Sequence, residues 1–197
     1  MTKKLNESPF MKNRSVNVIL DSLYGNFEGE EKHSKRVANI SRLVGIKLGL
    51  NAEELEDLEK AALLHDIGKI AIDKNILRKT GPLTTEERDE VRRHPEIGFR
   101  ILATVPSLAK FAEYVLYHHE WWNGSGYPKG LRGEQIPLKA RIISAAEAYD
   151  EMTGEYAYRK PMTKEEAKEE LLLHTGSQFD PLIATRLLEA IDGEIVV

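Results

Sequence analysis

Apolar residues recur every three or four positions over most of the chain, and Gly, Pro and Asn fall between the periodic stretches. That spacing marks amphipathic helices with one inward face, so the predicted fold class is all-α. A first helix is predicted over about Val16 to Tyr24, with Val16, Ile19, Leu20 and Leu23 on one side and the stretch Gly25 to Gly29 ending it. A second runs from about Glu31 to Leu48 on the stripe Val37, Ile40, Val44 and Leu48. Asn51 reads as an N-cap before the acidic turn Glu53, Glu54 and Glu56, and the stripe Leu55, Leu58, Ala62 ends at His65. Ile70 to Leu77 reads as short helical turns or loop. Thr84 with Glu87 is a capping box opening a helix to about Arg93, Pro95 starts another to about Thr104, and Ser107 to about His119 forms the next. Asn123 to Gln135, rich in Gly, is predicted as an ordered loop. Helices then follow from Pro137 to Met152, Thr163 to His174 and Pro181 to Ile191. No repeat or linker interrupts this order, so residues 1–197 read as one domain, with 1–30 as an N-terminal helical extension.

The histidines change the picture. His33 lies four before Val37, His65 three after Ala62, His94 three after Val91 and His118 three after Val115, so each falls on an inward face. One such His is ordinarily a core residue bonded to a carbonyl. Four helices each aiming one inward call for a shared partner, and a bound cation is the economical one. Asp66 follows His65 directly and can bridge two metals, while Glu147 and Asp150 lie on a face otherwise made of Ile and Ala. His174, beside Thr175 and Gly176 at a helix end, reads as a surface residue, and Lys164 to Glu170 as a solvated charge run.

Composition narrows the chemistry. The chain has no Cys, which excludes disulfides and thiolate metal sites and leaves imidazole and carboxylate as ligands. With 28 Lys plus Arg against 32 Asp plus Glu, the net charge of −4 offers no general attraction to DNA, RNA or an anionic membrane. No apolar run reaches the length of a membrane span and the N-terminus lacks the apolar core of a secretory signal, so the expected location is cytoplasmic.

The string His65-Asp66-Ile67-Gly68-Lys69, then His94-Pro95, His118-His119-Glu120 and Gly124-Ser125-Gly126-Tyr127-Pro128-Lys129-Gly130-Leu131, in that order, resembles the HD-GYP family of HD-domain metal-dependent phosphohydrolases. Agreement continues through Gly133, Ile136-Pro137, Ala140-Arg141-Ile142, Tyr149-Asp150, Thr153, Gly176 and Phe179-Asp180-Pro181, so the likeness spans about Glu31 to Leu188. The resemblance implies an HD-domain helical bundle around a cluster of divalent transition metals, iron or manganese, with zinc, cobalt or nickel as alternatives. It implies hydrolysis of cyclic di-GMP to the linear dinucleotide pGpG, and in some members onward to GMP. Carried over by position, the metal ligands are His33, His65, Asp66, His94, His118, His119 and Glu147, with Asp66 as the bridge. In such a site a hydroxide between the metals is the nucleophile, and both ions neutralise charge on the phosphoryl oxygens. Asp66 and Lys69 are the implied catalytic residues, and Lys69, Tyr127 and Arg159 the implied substrate contacts. Tyr127, Trp121 or Trp122 can stack on a guanine, or the two Trp can be packing residues. The loop is also a candidate docking surface for a protein partner.

Four positions depart from the family pattern. Gly29 stands where some members carry a Glu for a third metal, with Glu28, Glu30 and Glu31 off register, so two ions are expected. Glu147 replaces an Asp, Asn123 replaces an Asp before the Gly-Tyr-Pro run, and Tyr156 replaces an Arg that holds phosphate, leaving Arg159. The last exchange removes a bidentate clamp and opens two alternatives: a phosphohydrolase of another nucleotide or ester, and a catalytically weak binding module that signals through the loop. The pairing of Arg141 is left between nearby carboxylates.

Overall fold

The computed structural model describes Gly25, residues 29–154 and 160–193, and every regular element among them is helical. The predicted helix at Val16 to Tyr24, Tyr156 and Arg159 lie outside these described residues. Helix α1 (Glu30–Lys47) begins at Gly29, whose φ of 95° is the left-handed conformation that a side chain disfavours. Helix α2 (Ala52–Leu64) opens on a reciprocal cap: Glu54 N–H donates to Asn51 Oδ1 at 3.0 Å, and Asn51 N–H donates to Glu54 Oε2 at 2.8 Å. Such a cap stabilises a helix start by about 1 kcal/mol.

A 3₁₀ turn (Ile67–Ala71) and the one-turn helix α3 (Lys74–Leu77) fill the segment read as short turns. The Thr84 and Glu87 box opens α4 (Thr85–Val91), and α5 (His94–Ala103) carries Pro95 in its first turn, where the missing N–H has no partner to lose. The predicted helix from Ser107 to His119 is a correction: it is a 3₁₀ turn (Ala109–Phe111) and the short α6 (Ala112–Leu116). The chain leaves the helix at Tyr117, and His118 and His119 lie beyond it. Adjacent residues on a helix point about 100° apart, so a continued helix would have sent these two imidazoles to different faces. The Gly-rich loop follows, with one 3₁₀ turn (Gly133–Gln135), and then α7 (Leu138–Thr153), α8 (Lys164–Leu173) and α9 (Pro181–Gly193).

Helix α1 packs on α2, α7 and α9, and α5 packs on the Ile67–Ala71 turn and α6. The stripes meet in one cluster that includes Val37, Val44, Leu58, Leu64, Ile67, Leu102, Phe111, Val115, Ile142, Ile143 and Leu187, with Ile40 and Leu48 at its margin. Each such aliphatic side chain withdrawn from water stabilises the fold by about 1.5–3 kcal/mol. No helix among the described residues is long and apolar enough to cross a membrane.

One contact sets the distance between the end of α2 and the start of α5. A Cβ on Gly68 would stand 1.9 Å from the carbonyl oxygen of His94 and 2.7 Å from the amide nitrogen of Gly98. Only a residue without a side chain lets the turn after Asp66 lie against the first turn of α5. We therefore expect Gly68→Ala to destabilise the protein by about 2–3 kcal/mol through overpacking, lowering Tm by roughly 4–12 °C for a chain of this size. Thermal melting checks this, and an unchanged Tm would contradict the tight contact.

Candidate metal centre

Four imidazoles are oriented by bonds from Nδ1. His65 Nδ1–H donates to the Ala62 carbonyl at 2.7 Å, His94 to Val91 at 2.8 Å and His118 to Val115 at 2.6 Å. His33 donates its Nδ1–H to Asp150 Oδ2 at 2.8 Å. A carbonyl or carboxylate only accepts, so the proton sits on Nδ1 and Nε2 is the nitrogen left to face the centre. The helical spacing of three residues thus does two things: it buries the ring on the core stripe and supplies the carbonyl that fixes its tautomer.

The Nε2 atoms and two carboxylates gather into two groups. One holds His33, His65, Asp66 and Glu147, the other His94, His118 and His119, and within each the ligand atoms lie within 4.8 Å of one another. Asp66 faces both: its Oδ2 is 3.1 Å from His65 Nε2, and its Oδ1 is 3.3 Å from His94 Nε2. Glu147 Oε1 is likewise 3.8 Å from His65 Nε2 and 3.9 Å from His119 Nε2. All are buried except His119, whose side chain is 26% exposed and forms the open side. His65 Nε2 and Asp66 Oδ1 are buried with no hydrogen-bond partner among the described residues. Two orphaned ligand atoms at the meeting point of seven nitrogen- and oxygen-bearing side chains fit divalent metal ions.

The electrostatics agree with a ligand set. Burial drives His94 down to about 4, and the nearby charges of Lys69 and His65 add to it. Burial and neighbouring imidazoles also hold His118 and His119 well below the usual histidine range, so this group offers neutral lone pairs. In the other group burial opposes charge, yet the Asp66 carboxylate and then Glu147 outweigh it and lift His65 to about 9. Asp66 itself stays ionised against burial because His65 and Lys69 flank it. Burial, reinforced by Glu151 and Asp66, raises Glu147 despite the pull of His65.

All seven predicted ligands come together here, and so does Lys69, whose Nζ is 2.6 Å from Asp66 Oδ2. Tyr127 stacks on the His119 ring, with centroids 4.9 Å apart and planes at 21°. Trp122 lies instead under the Arg141 guanidinium, and Arg141 pairs with Asp180 at 2.5 Å, which makes this Trp a packing residue. Asn123 is exposed and accepts from Ser125 N–H at 2.9 Å, closing a loop turn that an Asp would close as well. His174 pairs with Glu170 on the surface, as expected.

Three residues named in the sequence take on roles there that the sequence reading does not assign. Glu30, set aside as off register, reaches Lys69 Nζ at 3.2 Å. Asp150 is clamped by Arg36 through Nε at 2.5 Å and Nη2 at 2.9 Å, so it orients His33 from a fixed position. Glu120 is buried and accepts Lys129 N–H at 2.6 Å and Leu131 N–H at 3.0 Å, tying the Gly-rich loop back to His119. Gly126 is required there, because a Cβ would stand 2.2 Å from Trp121 N and 2.5 Å from His119 O. The signals in the sequence are the Glu30 spacing three residues before His33, the place of Asp150 on the inward face beside Glu147, and Glu120 following the His118-His119 pair.

Comparison with known proteins meets this geometry. The model of the HD domain family matches residues 17–183. The chain belongs to the HD domain family. Among curated proteins this HD domain is 40% identical over 162 residues to the cyclic di-GMP phosphodiesterase response regulator RpfG of Xanthomonas campestris pv. campestris, covering 81% of the chain and 43% of that protein. It is 36% identical over 169 residues to the 3'3'-cGAMP-specific phosphodiesterase 2 of Vibrio cholerae, covering 84% of the chain and 32% of that protein. The HD domain chain therefore spans less than half the length of these relatives. Among solved structures, Bd1817 of Bdellovibrio bacteriovorus, an HDG"Y"P protein, superposes with a TM-score of 0.68 at 24% identity, over 93% of this chain and 59% of that one, a likeness of fold.

The lifted His65 carries a consequence. Below about 9 its Nε2 is protonated, so an incoming ion must displace that proton. Affinity for Mn²⁺ is expected to rise roughly tenfold per pH unit from neutral pH upward and to level off near 9. Calorimetric titration across that range, in buffers of different ionisation enthalpy, reads both the slope and the released proton; a flat profile would count against His65 as a ligand.

Proposed function

We propose that this HD domain is a metal-dependent phosphodiesterase that hydrolyses cyclic di-GMP to linear pGpG. The observation carrying the reading is the Asp66 carboxylate, with one oxygen toward each of two buried donor groups. His33, His65, Asp66 and Glu147 would hold one divalent ion and His94, His118 and His119 a second, and such ions would supply Lewis acidity toward the phosphoryl oxygens and toward an attacking water. A Cys-free set of imidazoles and carboxylates suits iron or manganese, with zinc, cobalt or nickel as alternatives.

The chain's own residues do the rest. Lys69 is held protonated against burial by Asp66 and Glu30, and its ammonium is a fixed positive charge for a non-bridging phosphate oxygen. Tyr127, kept protonated by burial, walls the open side at His119 and excludes water there. Asp150, clamped by Arg36, keeps the His33 ring from turning its Nε2 away. Arg159 is a further phosphate contact implied by the family likeness. In this reading residues 1–197 are one cytoplasmic domain, its exposed loop a docking surface for a protein partner.

A second reading, hydrolysis of 3'3'-cGAMP, is favoured by the Vibrio cholerae relative named for that substrate. Both nucleotides carry the same two phosphodiesters, so a substrate panel separates them. Protein purified anaerobically is expected to hold two ions per chain and to turn over cyclic di-GMP, and Asp66→Ala is expected to reduce turnover to the uncatalysed level. Hydrolysis by metal-stripped protein would overturn the proposal.

A further inference from the structure

On the side of the centre that faces the Gly-rich loop stands a guanidinium with no carboxylate partner among the described residues. Arg92 caps the C-terminus of α4, two residues before His94, and it is exposed. Its Cζ lies 5.2 Å from the centroid of the Tyr127 ring, the same ring that stacks on His119. Tyr127 thus touches both His119 and Arg92, which puts Arg92 beside the donor groups.

Among the described residues the neighbouring cations are committed elsewhere. Arg36 serves Asp150, Arg93 pairs with Glu90, and Lys69 lies between Asp66 and Glu30. Lys129 is 4.0 Å from Glu96. Among the described residues the Arg92 guanidinium has no carboxylate within ion-pair distance and lies against the tyrosine ring. A cation over an aromatic face is held in orientation while its N–H edges stay free, and those edges match the oxygens of a phosphodiester two at a time.

A cyclic dinucleotide carries two phosphodiesters. When one lies at the donor groups beside Lys69, the other is a second full negative charge that calls for cationic partners of its own, of which Arg159 need not be the sole one. We propose that Arg92 binds this second, non-reacting phosphodiester across the Tyr127 ring. The inference rests on the phosphodiesterase reading above and adds a substrate-binding residue to it. It also limits Tyr127: a ring already in contact with His119 and Arg92 has less of its surface open to a guanine.

The test compares steady-state hydrolysis of cyclic di-GMP by metal-loaded wild type, Arg92→Ala and Arg92→Lys, alongside calorimetric binding of the nucleotide and wild-type cleavage of bis(p-nitrophenyl) phosphate, which has a single phosphate. Losing a charge-assisted contact is expected to raise KM about tenfold in Arg92→Ala. Expected with it are kcat within about twofold of wild type and an intermediate KM for Arg92→Lys, which keeps the charge but not the fork. An unmoved KM, a loss confined to kcat, or a Lys variant no better than Ala overturns the role of Arg92 alone. Wild-type protein that cleaves bis(p-nitrophenyl) phosphate but neither binds nor cleaves cyclic di-GMP overturns the substrate reading and this role with it.

Discussion

The carboxylate of Asp66 is buried where His65, His94 and Lys69 converge, and the rest of the molecule is arranged around keeping it there. Moving a carboxylate out of water costs several kcal/mol unless fixed positive or proton-bearing groups replace the solvent. No single helix can provide them. His65 comes from the end of α2, Lys69 from the 3₁₀ turn, His94 from the first residue of α5, and Glu30 and His33 from α1. Packing of α1 on α2 and of α5 on the Ile67–Ala71 turn therefore does more than bury Val37, Leu58, Ile67 and Leu102: it assembles the partners of one anion. Gly68 fixes the closest of these approaches, because the distance between Asp66 and His94 is set by how near two backbones can come.

The two donor groups differ in charge, and the difference follows from the same arrangement. His94, His118 and His119 crowd one another with neutral rings, the centroids of the last two only 4.1 Å apart. Mutual repulsion and burial both disfavour protonation there. His33 and His65 sit instead beside Asp66 and Glu147, where a proton on His65 is stabilised. One side of the centre is thus a set of free lone pairs, while the other holds a proton on His65 against the ionised Asp66. Asp66 and Glu147 both touch the boundary, so charge bound on either side is felt on the other.

Much of this was legible in the chain. The caps at Asn51 and Thr84, the apolar stripes and the recurrence of His three or four residues from a core position depend only on local geometry, and helices translate local spacing into direction. Four of the histidines follow from that translation, and the full set of seven candidate ligands from the order of the family's motifs. What escaped depends on contacts between distant segments. Asp150 and Arg36 are 114 residues apart, and nothing local marks a carboxylate that a distant guanidinium will fix. Glu30 was discounted because family spacing put the acidic residue one position earlier, whereas the left-handed Gly29 starts α1 so that Glu30 turns toward Lys69.

The overlong prediction for the helix ending at His119 has the same physical root as the correct ones. The apolar pattern through Val115 and Leu116 favours helix, but the centre needs both adjacent imidazoles, and a regular helix can supply only one per turn to a given face. The loop resolves the conflict by taking over at Tyr117. Glu120 then accepts two loop amides, and Gly126 lies against the backbone of His119, so the Gly-rich segment braces a turn that the helix could not make. Tyr127 closes the arrangement by stacking on the His119 ring from outside. The loop that looks like a rim is therefore part of the support of His118 and His119, and Gly126 is where its backbone passes closest to the His119 chain.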